Sequence, residues 1–154
     1  MEVRARAGRL QGRGASVSEQ TIPKLNSAAF IRSLIADMRK TKASPDLVLD
    51  MDSFTEKPTA RSKCHVCAGG SAVIHAMGGP ASEILWTRDQ WAVARWCNYV
   101  RSGYFEECED RRYPVPEEVQ EAWSDDMRQV GPKFFGAWER FATAWEAYEA
   151  KVSA

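Results

Sequence analysis

The chain has only two histidines and four cysteines among 154 residues, and it lacks any long apolar run. No stretch approaches the ~18 consecutive apolar residues that a membrane span requires, so the sequence gives no reason to expect membrane insertion. Residues 1–14 contain no apolar run of the length found in secretory leaders. Cysteines without a leader suit a reducing compartment, where they normally remain free thiols. The expected location is therefore cytoplasmic. Also missing are Gly-x-Ser-x-Gly, His-Glu-x-x-His and a Gly-Lys-Ser phosphate loop, which removes the commonest hydrolase, metalloprotease and nucleotide-binding signatures. No alternating run of useful length and no internal repeat is present, which argues against a sheet protein or a solenoid. A global electrostatic field is absent as well, because 21 basic residues balance 21 acidic ones.

The chain is nevertheless well supplied with large apolar side chains. Six Trp and six Phe suit a core, or an interface, built on aromatic anchors. Their spacing predicts helices near 27–40, 65–77, 88–101, 116–129 and 133–150. The first carries the stripe Phe30, Ile31, Leu34, Ile35 and Met38 behind Asn26 or Ser27 as N-cap. Ser44-Pro45 opens a short turn or helix through Leu47, Val48, Leu49, Met51 and Phe54. Gly69 and Gly70 sit inside the second helix, where each costs about 1 kcal/mol relative to Ala, so close approach of another backbone is their expected use. Thr87 and Gln90 form a capping box for the third helix. That helix is apolar around most of its circumference and is expected to be central. Ser102-Gly103 closes it. Pro114 and Pro116 introduce the fourth, and Phe134, Trp138, Phe141, Trp145, Tyr148 and Val152 line the fifth. The fold class expected is all-α, a single domain of five to six helices over 21–154, behind a flexible arm at 1–20 that is rich in Arg, Gly and Ser.

Charge is unevenly distributed along this frame. Residues 1–42 carry nine basic residues against three acidic, and residues 106–126 carry nine acidic against two basic. The simplest reading is a basic tail and an acidic surface that attract each other. Arg4, Arg6, Arg9 and Arg13 of the arm also suit contacts to nucleic-acid phosphates.

Cys64-His65-Val66-Cys67 is the one local motif with chemical potential. A Cys-x-x-Cys pair serves as a redox dithiol or as half of a zinc site. The redox reading expects a strand just before the pair, and Thr59–Lys63 reads as polar loop. Zinc needs two further ligands, and His75, Cys97 and Cys108 do not form a second pair. If 64–77 is one helix, His75 lies ~12 Å beyond Cys67, too far to share an ion. Small buried thiols near a glycine-lined helix crossing are the plainer expectation, with no metal, no cofactor and no catalytic residue assigned.

Three segments together resemble a group of small accessory proteins encoded by tailed phages and prophages. They are Asp50-Met51-Asp52-Ser53-Phe54, the run from Cys64 to Val73 around Cys67-Ala68-Gly69, and Asn98-Tyr99-Val100-Arg101-Ser102-Gly103. The likeness covers residues 50–103. It departs from the group's pattern at the cysteine helix, where one residue is missing before the Ala-Gly step and Gly70 appears. The resemblance implies a protein made inside an infected bacterium. Phage accessory proteins often clamp a host protein, inhibitors of CRISPR effectors among them. The expected function is therefore non-enzymatic binding and inhibition of a host protein. The residues expected at that interface are Tyr104, Glu106, Glu107, Glu109, Asp110 and Tyr113, which combine aromatic anchors with carboxylates. The alternatives are a nucleic-acid-associated regulator using the arm and a zinc- or thiol-dependent protein built on Cys64 and Cys67.

Overall fold

The first helix starts where Ser27 turns the chain. Its hydroxyl accepts from the Phe30 N–H at 3.1 Å, occupying one of the helix's unpaired donors. Helix α1 (Ala28–Ala43) then runs until Ser44, whose extended backbone is what the following Pro45 demands. The architecture is described from a computed structural model covering residues 22–52, 55–56, 63–107 and 112–154, without the side chains of 55, 56 and 107. The arm, 1–20, lies outside the described residues.

After α1 come β1 (Leu47–Leu49), β2 (Thr55–Glu56) and β3 (Cys64–Val66), then α2 (Ala68–Ser71), which continues as a π-helical turn, Ala72–Ala76. A 3-10 turn, Glu83–Leu85, leads to α3 (Arg88–Ser102) and a second 3-10 turn, Phe105–Glu107. Helix α4 (Glu117–Gln120), a third 3-10 turn (Asp125–Met127) and α5 (Phe134–Ser153) complete the order. The fold is helical, as the spacing of apolar residues predicts. No helix among the described residues is long and apolar enough to cross a membrane.

Three local expectations are corrected. Leu47–Leu49 is a strand rather than a turn or helix, and Cys64–Val66 is a strand rather than the start of a helix. The two pair in parallel, Leu47 against Cys64 and Leu49 against Val66, and β2 adds antiparallel to β3. Each strand is too short to show an alternating pattern, and both are held by partners distant in sequence. The helix expected at 116–129 is broken, because Ser124 caps a new 3-10 turn by accepting from the Asp126 N–H.

Helix α1, rather than α3, is the element around which the others gather, since it packs on α5, α2, β1 and the π-helical turn. A run of edge-on and tilted rings fills the space between helices. Phe30 meets Trp96 at 5.5 Å between centroids, Trp96 meets Trp145 at 6.3 Å, and Trp145 continues through Phe141 and Trp138 to Phe134. Four indole N–H groups reach out of apolar surroundings to backbone carbonyls: Trp86 to Pro80, Trp96 to Tyr113, Trp123 to Arg101 and Trp138 to Met127. Each buries a large ring and ties down a connecting segment without leaving the indole nitrogen unpaired.

Candidate functional site

Gly103 ends α3 in the left-handed conformation, φ 77°, and turns the chain toward Tyr104. A β-carbon at 103 would stand 2.5 Å from the Trp123 ring, so glycine is required both by backbone and by space. The turn is then fixed on two sides. Ser102 Oγ accepts from the Tyr104 N–H at 3.2 Å, and Phe105 packs edge-on to Tyr99, whose hydroxyl donates to the Phe105 carbonyl. On this anchored turn the Tyr104 residue is 56% exposed. The Arg128 guanidinium lies 5.6 Å from its ring centroid and also pairs with Asp125 at 3.5 Å. The turn after α3 is thereby joined to the acidic segment near α5.

The six residues expected at an interface divide accordingly. Tyr104 and Glu106 are exposed. Tyr113 is half-buried against the core, and its carbonyl receives the Trp96 indole, so its role is at least partly structural. The side chain of Glu107, and Glu109 and Asp110 altogether, lie outside the described residues. Of the other carboxylates in the stretch, Glu117, Glu118, Glu121, Asp125 and Asp126 are all exposed. Glu118 is paired with Lys151 at 2.6 Å.

Within the cysteine motif, Cys67 is subject to two opposing influences. Cys67 is the N-cap of α2 and its sulfur lies near the Gly70 N–H, which favours a thiolate. Burial outweighs that and pushes the thiol up to about 11. Cys97, fully buried, is raised well above its ordinary value for the same reason. Cys64 is half-buried on β3. Among the described residues, no three His, Cys, Asp or Glu side chains stand together as a metal-binding group. No protein-family model, curated protein or solved structure matches the chain.

Residues 50–52 meet β3 and the end of α3 in a polar network. Asp50 follows β1, donates its N–H to the Val66 carbonyl and accepts from His65 Nδ1 at 2.8 Å. Asp52 accepts from Arg101 of α3 at 3.3 Å and from Gln129 at 3.2 Å. Arg101 also donates to the Arg128 carbonyl. The His65 pair and the Asp52 N–H hold the Asp50 carboxyl below its usual range. This network joins the ends of the parallel strands to α3.

A second polar network was not expected. Asp37 and Thr41 of α1 and Ser71 of α2 are the buried polar side chains among the described residues. Thr41 Oγ1 lies 2.7 Å from Ser71 Oγ and 3.1 Å from His75 Nε2. The Ser71 hydroxyl donates to the Cys67 carbonyl, so Thr41 must donate to Ser71, and His75 must donate to Thr41. With all three bonds made, the donors of the chain point from the imidazole toward the Cys67 carbonyl. Burial, then the nearby Lys40, lowers the His75 pKa. Asp37, with Lys40 Nζ at 4.0 Å, is pushed by burial up to about 7. A sequence signal for this network exists: Asp37 and Thr41 fall within the turns that carry the apolar stripe of α1, where a solvated residue is out of place.

Proposed function

We propose that the protein is a non-catalytic binder that occupies a basic site on a host protein. In kind it is a phage accessory inhibitor of the anti-defence class, anti-CRISPR proteins included, acting in the host cytoplasm. The phage context rests on the resemblance of residues 50–103. The single observation that supports binding is the Tyr104 turn. An aromatic residue is held 56% exposed by Gly103, Ser102 and Phe105 and is followed by exposed Glu106. A rigid aromatic beside carboxylates provides an anchor at low entropic cost and an electrostatic guide to a basic partner. The thiols at Cys67 and Cys97, driven toward the neutral form by burial, favour the same reading.

The test is capture from bacterial lysate on immobilised protein, with the parent compared against Tyr104→Ala and against charge reversal at Glu106, Glu107, Glu109 and Asp110. The expected result is a partner retained by the parent and released by both variants, at nearly unchanged melting temperature. Equal retention by parent and variants would move the interface away from this surface.

A further inference from the structure

A charged surface of opposite sign forms where the end of α1 meets the start of α5. The helices run antiparallel, set by Arg32 with Glu146 and Arg39 with Glu139. This pairing brings Phe135 under two cations, with the Arg39 guanidinium 4.2 Å and Lys42 Nζ 5.7 Å from the ring centroid. Arg39 is held at its edge by Glu139 at 3.1 Å, yet its side chain is still 54% exposed. Lys40 and Lys42, next along α1, and Lys133, two residues before Phe135, are exposed. The carboxylates that meet these cations do little to offset them. Glu139 is shared between Arg32 and Arg39, and Asp37 is buried, 4.0 Å from Lys40 Nζ. Lys133 is moreover the N-cap of the 20-residue helix α5, which no side chain caps, so the helix dipole adds to the positive potential.

We propose that this surface binds single-stranded nucleic acid, with Arg39 on Phe135 as the stacking platform and Lys40, Lys42 and Lys133 as the phosphate contacts. A guanidinium backed by a ring and fixed at its edge by a carboxylate has one face left for a base. Flexible lysines around it neutralise phosphates without reading sequence. A duplex keeps its bases stacked inside and cannot use the platform. The site is distinct from the acidic Tyr104 surface, so either can fail without the other.

The experiment is fluorescence anisotropy of a labelled mixed-sequence DNA strand titrated with the full chain at about 50 mM salt and above. The parent is expected to bind the strand more tightly than a blunt duplex of equal length. Lys42→Glu with Lys133→Glu should weaken binding at least ~10-fold and make the salt slope shallower by about 0.7 for each phosphate no longer neutralised. Arg39→Lys keeps the charge and removes the plane, so it should weaken strand binding while leaving the salt slope in place. A chain with Arg4, Arg6, Arg9 and Arg13 all changed to Ser should still respond to the lysine reversals. Absence of binding by the parent would overturn the proposal. So would equal binding by the folded lysine variant, equal or tighter binding of duplex, or a lysine effect that vanishes in the Ser-substituted arm. Melting curves accompany each variant, and Lys42→Gln alone carries the comparison if the double reversal does not fold.

Discussion

Gly69 of α2 lies directly against the main chain of Ala94 in α3. A β-carbon at 69 would stand 2.6 Å from the Ala94 carbonyl oxygen and 2.8 Å from its Cα. Glycine to alanine in a helix ordinarily gains about 1 kcal/mol. Here the obstacle is backbone, which cannot rotate away, so the sign reverses. Gly69→Ala is expected to destabilise by about 1–3 kcal/mol in denaturant unfolding, and Gly69→Leu by more. Ala94→Gly should not rescue either variant, because it removes none of the clashing atoms. Cys64→Ser, at a half-buried thiol, should cost less than either. Parent-like unfolding of Gly69→Ala would mean that α2 and α3 are further apart than described.

The hydroxyl chain makes a prediction about coupling. Thr41→Val leaves both Ser71 and His75 without the partner between them, and Ser71→Ala leaves the Thr41 proton without an acceptor. Each should cost roughly 1–3 kcal/mol. The double variant should cost clearly less than their sum, since the second change removes a group the first had already orphaned. Strict additivity in the four-way comparison would show that the two hydroxyls do not share a bond.

Asp37 predicts a pH dependence of known sign. Its carboxyl titrates at about 7 in the fold instead of 3.8. The folded state therefore holds the proton more tightly, and stability is lost as pH rises from about 4 through 7. At about 1.4 kcal/mol per pH unit, the full linkage amounts to no more than ~4.5 kcal/mol. Lys40 beside it and the Cys97 thiol on α3 are the ionisable groups that interact with it. Asp37→Asn should raise the melting temperature at pH 8 and flatten the decline between about pH 4 and 7 relative to the parent. His75, with its pKa lowered, works in the other direction and costs stability as pH falls below its ordinary value of 6.5. An unchanged slope in Asp37→Asn would place the ionised carboxylate in water.

Tyr104 and Phe105 are neighbours with opposite expectations. Tyr104 is 56% exposed, so Tyr104→Ala should leave thermal stability nearly unchanged. Phe105→Ala removes the ring that packs edge-on to Tyr99 at 5.5 Å, and should lower the melting temperature by several degrees. Equal effects in the two would mean that Tyr104 belongs to the packing.

The helices are legible in the sequence wherever a signal is local. Thr87 and Gln90 cap α3 reciprocally, and Gly103 ends it, because caps and stops act within one turn. The strands are not legible. Leu47-Val48-Leu49 is extended because it pairs with Cys64-His65-Val66 across 17 residues, and nothing in the three residues themselves distinguishes a strand from a turn of helix. The hydroxyl network has the same origin, since Thr41 and Ser71 meet only through tertiary packing. Of the expected interface, the structure places Tyr104 and Glu106 at the surface and turns Tyr113 partly inward. No local pattern marks which of these aromatics the core takes up, because that depends on where α3 and the segment before α4 meet.

The pairing of α1 with α5 also governs how the chain is made. Arg32 meets Glu146, 114 residues later, and the Ala28 N–H is received by Glu149, 121 residues later. While the protein is synthesised, the stripe Phe30, Ile31, Leu34, Ile35 and Met38 emerges long before the helix that covers it. At ~5–20 residues per second that interval is on the order of 5–20 s. During that window the nascent chain presents the apolar face of α1 to chaperones and to other chains. Folding on the ribosome is therefore delayed until α5 has emerged, and a chain released before it should aggregate.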